Sequence, residues 1–294
     1  SQDQTSRIFT EWKQAGTWHE ISRVQIHGYN INTICNLRIP QEGDRKYVDY
    51  VVSGADEKII RMFEPSLSFI NGLNSLHDVN LRLFFEEKEK EKEYLVNTSD
   101  GRVKYKVSSE GTTQVLGLMI KAVKVDKIQI NYGPEEGEEG EEPVGGAGGE
   151  ESKENLEYDF KTPPVEDYLV SHTLWPEFNK LYGHGFELSA VAANNAGTLL
   201  ASSCKSQDFD HSKILLWDPK KFQVVGRLAL HNYTPVQLEF SPNDEYLLSA
   251  SRDRQFGLWK KSTGENPYEL AFKNQSHTRI IWSVSFSHDS RLFA

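Results

Sequence analysis

A histidine recurs at nearly constant spacing through the C-terminal part of the chain, and the residues that follow it recur as well. Segments 181–203, 228–253 and 274–294 align in one frame: His184, His231 and His277 are 47 and 46 residues apart, and Phe240 and Phe286 are 46 apart. Leu200, Leu247 and Phe293 keep the same offsets. Each unit reads as short strands separated by turns. Val236, Leu238 and Phe240 alternate with polar positions, Ser241-Pro242-Asn243-Asp244 supplies turn residues, and Tyr246 to Ser251 resumes an extended run. After Arg252-Asp253-Arg254, the run from Gln255 to Trp259 gives a third strand, and Lys261-Ser262-Thr263-Gly264 turns the chain again. A fixed period of about 40–45 residues carrying three to four antiparallel strands marks the blades of a β-propeller, so the fold class is all-β.

The same order appears nearer the N-terminus. His27-Gly28 is followed by Val51 to Asp56 and then by Lys58 to Phe63. Arg7-Ile8-Phe9 repeats Arg61-Met62-Phe63 at an offset of 54, so the chain is expected to open late in one blade. The frame set by Phe293 is expected to run out inside another.

Between these regions the repeat weakens and the charge changes. The net charge of -10 comes from 33 basic and 43 acidic residues, but Pro134 to Glu157 alone holds ten Glu against one Lys. The rest of the chain is nearly neutral. Like charges mixed with glycine and few apolar groups cannot offset the entropy of ordering, so this stretch reads as a disordered loop or linker. The alternating run Glu86 to Glu93 reads as a hairpin tip or exposed strand, and Val115 to Ile130 as two further strands. The longest apolar run, Val115 to Val123, is broken by Lys121 and is far shorter than the ~18 residues of a membrane span. Two cysteines, Cys35 and Cys204, give neither a disulfide framework nor a CxxC motif.

Signals for catalysis fail on context. Gly145 to Gly149 is glycine-rich but follows no strand and lies among glutamates, which repel phosphate. No Walker motif, HExxH or metal-spaced Cys/His cluster occurs. The histidines invite a His–Asp–Ser reading, yet they recur blade after blade, which favours architecture over one active site. A histidine, a serine and a turn aspartate can tie a blade's strands together and anchor the aromatic residue of the third strand. His231, Ser249 or Ser251, Asp253 and Trp259 form such a set, and His27, Ser53, Asp56 and Phe63 a version without the tryptophan. His184, Trp217 and His277 belong to the same expected network, but the polar insertion from Cys204 to His211 leaves Asp208 and Asp210 doubtful partners for His184. Arg252 and Arg254 flank Asp253, and Arg279 follows His277. On propeller geometry these three can share one rim, and a planar guanidinium suits phosphate or carboxylate.

Longer strings carry a resemblance. Thr17-Trp18-His19-Glu20-Ile21, Val52-Ser53-Gly54-Ala55-Asp56-Glu57-Lys58, Thr173-Leu174-Trp175-Pro176-Glu177, Lys180 to Gly185, Ser251-Arg252-Asp253-Arg254 and His277 to Ser283 resemble the family of WD-repeat second subunits of the Elongator complex. The resemblance spans residues 7 to 65 and 115 to 294 and is much weaker in Phe69 to Gln114 and in the acidic insert. It implies WD40 blades from two seven-bladed propellers: 1–132 from a first, 133–162 an acidic loop or linker, 163–294 from a second. It further implies a non-catalytic scaffold, without cofactor, metal or small-molecule substrate, in the assembly that modifies the wobble uridine (U34) of tRNA at carbon 5. The acetyl-coenzyme A and radical chemistry would belong to the catalytic subunit. Partners would be the other catalytic and scaffold subunits, with Arg252, Arg254 and Arg279 as the residues meeting a partner or tRNA. The setting would be cytoplasm and nucleus, away from membrane. A generic WD40 adaptor, or a propeller that binds RNA directly, is the alternative.

Overall fold

Apolar and polar residues alternate with a period of two in stretches such as 35–39 and 236–240, and short apolar runs such as 214–217 lie between turn residues; both kinds of stretch form strands. The computed structural model describes residues 2–24, 27–40, 47–66, 162–275 and 277–294, with scattered positions between 69 and 76 and the backbone of 93–98 and 101–106. The expected strands within 115–130 and the acidic stretch 134–157 lie outside the described residues. So does the alternating run up to its last residue, Glu93, which opens a strand.

In chain order, β1 (Ser6–Trp12) and β2 (Thr17–Val24) form a hairpin, and β3 (Ile31–Pro40), β4 (Tyr47–Ala55) and β5 (Ile59–Phe63) an antiparallel meander. A separate hairpin joins β6 (Glu93–Thr98) to β7 (Gly101–Lys106). A short helix α1 (Glu166–His172), β8 (Leu174–Trp175) and β9 (Glu177–Tyr182) follow. Two complete four-stranded meanders come next. One runs β10 (Leu188–Ala193), β11 (Leu200–Cys204), β12 (Ile214–Asp218) and β13 (Gln223–Leu228). The other runs β14 (Pro235–Phe240), β15 (Tyr246–Ser251), β16 (Phe256–Lys261) and β17 (Tyr268–Asn274). These are the four-stranded antiparallel sheets of WD40 blades, and β14 to β16 fall where the sequence places them.

β9 is the fourth strand of the β3–β4–β5 sheet, paired antiparallel with β5 from Ile59↔Tyr182 to Phe63↔Glu177. β8 lies parallel to β2 through Arg23↔Leu174 and Val24↔Trp175. The acidic segment is therefore an excursion between the third and fourth strands of one blade. The expected division of 1–132 from 163–294 does not coincide with a break between sheets. The reason is that β5 presents a row of unpaired backbone groups, and β9 satisfies them whatever length of chain intervenes.

Apolar cores lie between consecutive sheets. Leu37, Val52, Ile60 and Met62 of one sheet meet Leu188, Val191, Leu200 and Trp217 of the next. Ala201, Ile214 and Leu216 then meet Leu238, Leu247 and Trp259, and Leu248 and Ala250 meet Ile281 and Val284. Every residue of β11 is buried because a sheet covers each of its faces. The first strands also lock to each other by hydrogen bonds. The Val191 N–H donates to Thr33 Oγ1 (3.0 Å), and the Gln237 amide exchanges two bonds with the Val284 backbone (2.9 and 3.2 Å). Gly197, Asp244 and Ser290, 47 and 46 residues apart, all take φ near +60° in the same hairpin turn. At Gly197 a Cβ would stand 1.6 Å from the Arg38 carbonyl oxygen, so both the backbone conformation and the neighbouring blade require glycine.

Candidate functional site

The serine of the second strand is the centre of each histidine set. In the last complete blade Ser249 Oγ lies 2.9 Å from both His231 Nε2 and Trp259 Nε1, and His231 Nδ1 lies 3.1 Å from Asp253. Ser251, the other serine considered, instead donates to the carbonyls of Tyr233 and Thr234. All four members of the set are buried. Burial pushes the Asp253 carboxyl up, but the bond from His231 and the Gln255 and Asn232 amides outweigh it and hold the carboxyl below its usual range.

In the preceding blade Ser202 Oγ lies 2.7 Å from both His184 Nε2 and Trp217 Nε1. Ser202 was not singled out in the sequence; its match to Ser249, 47 residues on, is the signal that finds it. Among the described residues His184 has no carboxylate partner: Asp208 binds His211 (2.9 Å) and Asp210 binds Lys213 (2.9 Å). Burial without a counter-charge lowers the His184 pKa to about 4.

The first of these sets departs from expectation. His27 Nε2 is 2.7 Å from Ser53 Oγ, and its ring meets Phe63 edge-on with centroids 5.6 Å apart. The acid beside His27 Nδ1 is Glu57 at 3.3 Å, and Asp56 turns outward to Asn32 and Lys205. Asp56 is thus not the partner of His27. Counting explains the correction: Asp253 lies four residues after Ser249, and Glu57 lies four after Ser53. Arg61, opposite Ser53 where Gly257 stands opposite Ser249, bridges Glu57 and Glu177 of β9. Burial is the largest influence and raises the Glu57 pKa, but the Arg61 bond and charge together with the contact to His27 outweigh it, and the carboxylate titrates below its usual range. Burial first, then the Arg61 charge, lowers the His27 pKa.

His277 departs further. It is exposed in an irregular segment, and no hydrogen bond ties it into a network among the described residues. The side chains of Arg252, Arg254 and Arg279 are all exposed, and none pairs with an acid among the described residues. Arg254 sits at φ 68° in the turn after β15. Its neighbour Asp253, by contrast, is buried in the blade's own bonds.

The loops at this end of the strands form one hydrogen-bonded band. The Asp56 N–H donates to Asn30, Leu188 to Glu57, Lys205 to Glu187, Thr234 to Ser206 and Arg252 to Thr234 (2.7 to 3.0 Å). Each bond joins a turn to the loop beside it, within a blade or across to the next. The excursion carrying the acidic segment leaves from Phe63 and returns at Glu177, at the opposite ends of the strands. Among the described residues no cluster of three or more His, Cys, Asp or Glu could hold a metal, and no helix is long and apolar enough to cross a membrane.

Comparison with known proteins matches this architecture. Residues 222–260 match the family model for the WD domain, G-beta repeat. The whole chain is 36% identical to a protein named Elongator complex protein 2 from Arabidopsis thaliana, and covers 33% of it. It is 37% identical to the Mus musculus protein of that name over its full length, covering 34% of it. Against the Saccharomyces cerevisiae protein of that name, identity is 33% over 98% of the chain and 33% of the relative. The chain thus spans about a third of the length of these relatives. On the repeat, the sheets and this end-to-end match, the chain is built of WD40 blades and is similar, over its own length, to about a third of the length of proteins named Elongator complex protein 2.

Proposed function

We propose that this chain is a blade array in a non-catalytic scaffold subunit of the Elongator complex. In this reading it presents rim surfaces to the other catalytic and scaffold subunits in cytoplasm and nucleus, supporting C5 modification of the tRNA wobble uridine. The observation that carries the proposal is the match along the entire chain to proteins named Elongator complex protein 2. The geometry supports it, because the His–Ser sets bond inward to blade residues, whereas Arg252, Arg254 and Arg279 are exposed and have no acidic partner among the described residues. Arginine without a local partner is what an interface enriches.

The test is charge reversal of Arg252, Arg254 and Arg279 to Glu in the full-length protein. Co-purification with partner subunits or tRNA should be lost while the circular dichroism spectrum is kept. Unchanged assembly and unchanged wobble modification would overturn the assignment. The second reading, an RNA-binding propeller outside the complex, is favoured by the same three arginines. It predicts tRNA binding by the subunit alone with a steep salt dependence.

A further inference from the structure

The position two residues after each blade histidine is aromatic three times in succession and then basic: Tyr29, Phe186, Tyr233 and Arg279. All three aromatic side chains are exposed, Tyr29 by 54%, Phe186 by 39% and Tyr233 by 49%. The cause is local. The histidine turns inward to its serine, and the residue two positions on sits in the loop that leads to the next first strand, clear of the cores between sheets. Phe186 meets the His211 ring edge-on with centroids 4.9 Å apart, but none of the three rings enters a core between sheets, so core packing does not explain their recurrence at one repeat position.

The band of loop hydrogen bonds holds them in sequence. Asn30 is bonded to Asp56, Glu57 to Leu188, Glu187 to Lys205, Ser206 to Thr234 and Thr234 to Arg252, so each ring stands beside a backbone position fixed to its neighbour. Cations are interleaved. Lys58 Nζ lies 5.7 Å from the centroid of the Phe186 ring, and Arg252 follows Ser251, whose Oγ donates to the Tyr233 carbonyl. Of the acids on this face, Asp56 pairs with Lys205 and Asp210 with Lys213, while Asp208 and Asp253 are hydrogen-bonded to His211 and His231. Among the described residues Arg252, Arg254 and Arg279, at the Tyr233 end, have no acidic partner, and Glu187 beside Phe186 has no basic one.

We propose that Tyr29, Phe186 and Tyr233, with Arg252, Arg254 and Arg279, form a stacking row for an unpaired single-stranded nucleic acid. Rigid, exposed rings one blade apart accept successive base faces without reading sequence, and the arginines meet the phosphates. An acidic peptide would satisfy the arginines but leave the three rings without a purpose, so the rings decide between the two. The proposal shares the three arginines with the scaffold reading and adds the three rings, which that reading does not use.

The experiment is fluorescence anisotropy of a labelled 12-nucleotide single-stranded RNA with the full-length protein. Tyr233→Ala should weaken binding about tenfold, and Tyr233→Phe should bind as the unaltered protein does, since stacking needs the ring and not the hydroxyl. With three phosphates neutralised, affinity should fall roughly 20-fold between 50 and 200 mM salt. A duplex of the same length should bind more weakly than the single strand. Equal binding by Tyr233→Ala and the unaltered protein, or displacement of the RNA by polyglutamate with no loss in Tyr233→Ala, would overturn the proposal. Because Tyr233→Ala keeps all three arginines, subunit co-purification measured on the same variant separates this outcome from failure of the scaffold reading.

Discussion

Two blades solve the same bonding problem with different residues. In the sheet β14–β17, Ser249 Oγ accepts from the Trp259 indole N–H and meets His231 Nε2, and Asp253 accepts from Nδ1 on the far side of the histidine ring. In the sheet β3–β4–β5–β9, phenylalanine replaces the tryptophan, glutamate replaces the aspartate, and Arg61 enters where the other blade has Gly257. The first set is closed by hydrogen bonds between short side chains. In the second, an ion pair reaches across to β9, the strand that returns after the long excursion. A slot in a repeated module is thus defined by where its atoms lie and by whether buried polar groups are satisfied, and the residue types can change together.

The comparison breaks most sharply at the serines. Ser249→Ala leaves the Trp259 N–H without its buried acceptor and His231 Nε2 without its hydroxyl partner, and two such losses cost about 2–4 kcal/mol. Ser53→Ala strands only His27 and should cost about 1–2 kcal/mol. The difference is read from the urea midpoints of the two variants. Equal losses would mean that the tryptophan bond contributes nothing and that the two sets are alike in energy.

Trp259→Phe converts the first set toward the second and should cost about 1–3 kcal/mol from the lost bond and the volume removed from a buried site. A change below about 0.5 kcal/mol would show that the surrounding core, and not the indole bond, fixes this strand.

The blade between them supplies the pH test. His184 has the serine and the tryptophan but no acid, and its pKa falls to about 4. A folded-state value below the unfolded one near 6.5 means that the unfolded chain binds the proton more tightly. The stability from neutral His184 is therefore fully present above about pH 6.5 and is lost as pH falls toward 4. The His184→Gln variant should show a shallower loss over that window, and an NMR titration of the ring should find its midpoint near 4. A midpoint at about 6.5 would mean that burial at this position does not disfavour the charged ring, and the expected loss of stability on acidification would go with it.

How far the sequence reaches follows the same line. Turn residues, alternation and the spacing of His184, His231 and His277 are local or periodic signals, and they locate β14 to β16 and the His–Ser–Trp pattern. Asp56 misleads because residue type was matched in preference to register: Glu57, four after Ser53, occupies the slot. His277 misleads because the histidine recurs without the serine-bearing strand that would receive it among the described residues. The pairing of β5 with β9 was illegible for another reason. Nothing local in either strand records that a partner lies more than a hundred residues away; only the unfilled edge does.

The smallest expected effect concerns that long connection. Deleting 134–157 shortens the 64–176 excursion, and loop-closure scaling puts the change in stability at only about 0.2 kcal/mol, in the stabilising direction. The pairing of Ile59 to Phe63 with Glu177 to Tyr182 should survive, because its register is set by side chains on the two strands: Ile60 and Leu181 are buried together, and Arg61 pairs with Glu177. Amide exchange protection in β5 and β9 should be unchanged in the deletion variant. Binding that depends on Arg252 should also persist, since the excursion attaches at the strand ends opposite that turn. Loss of protection confined to β9 would mean that the excursion itself holds the fourth strand in place, and the blade would then differ from β14–β17 in its closure as well as in its residues.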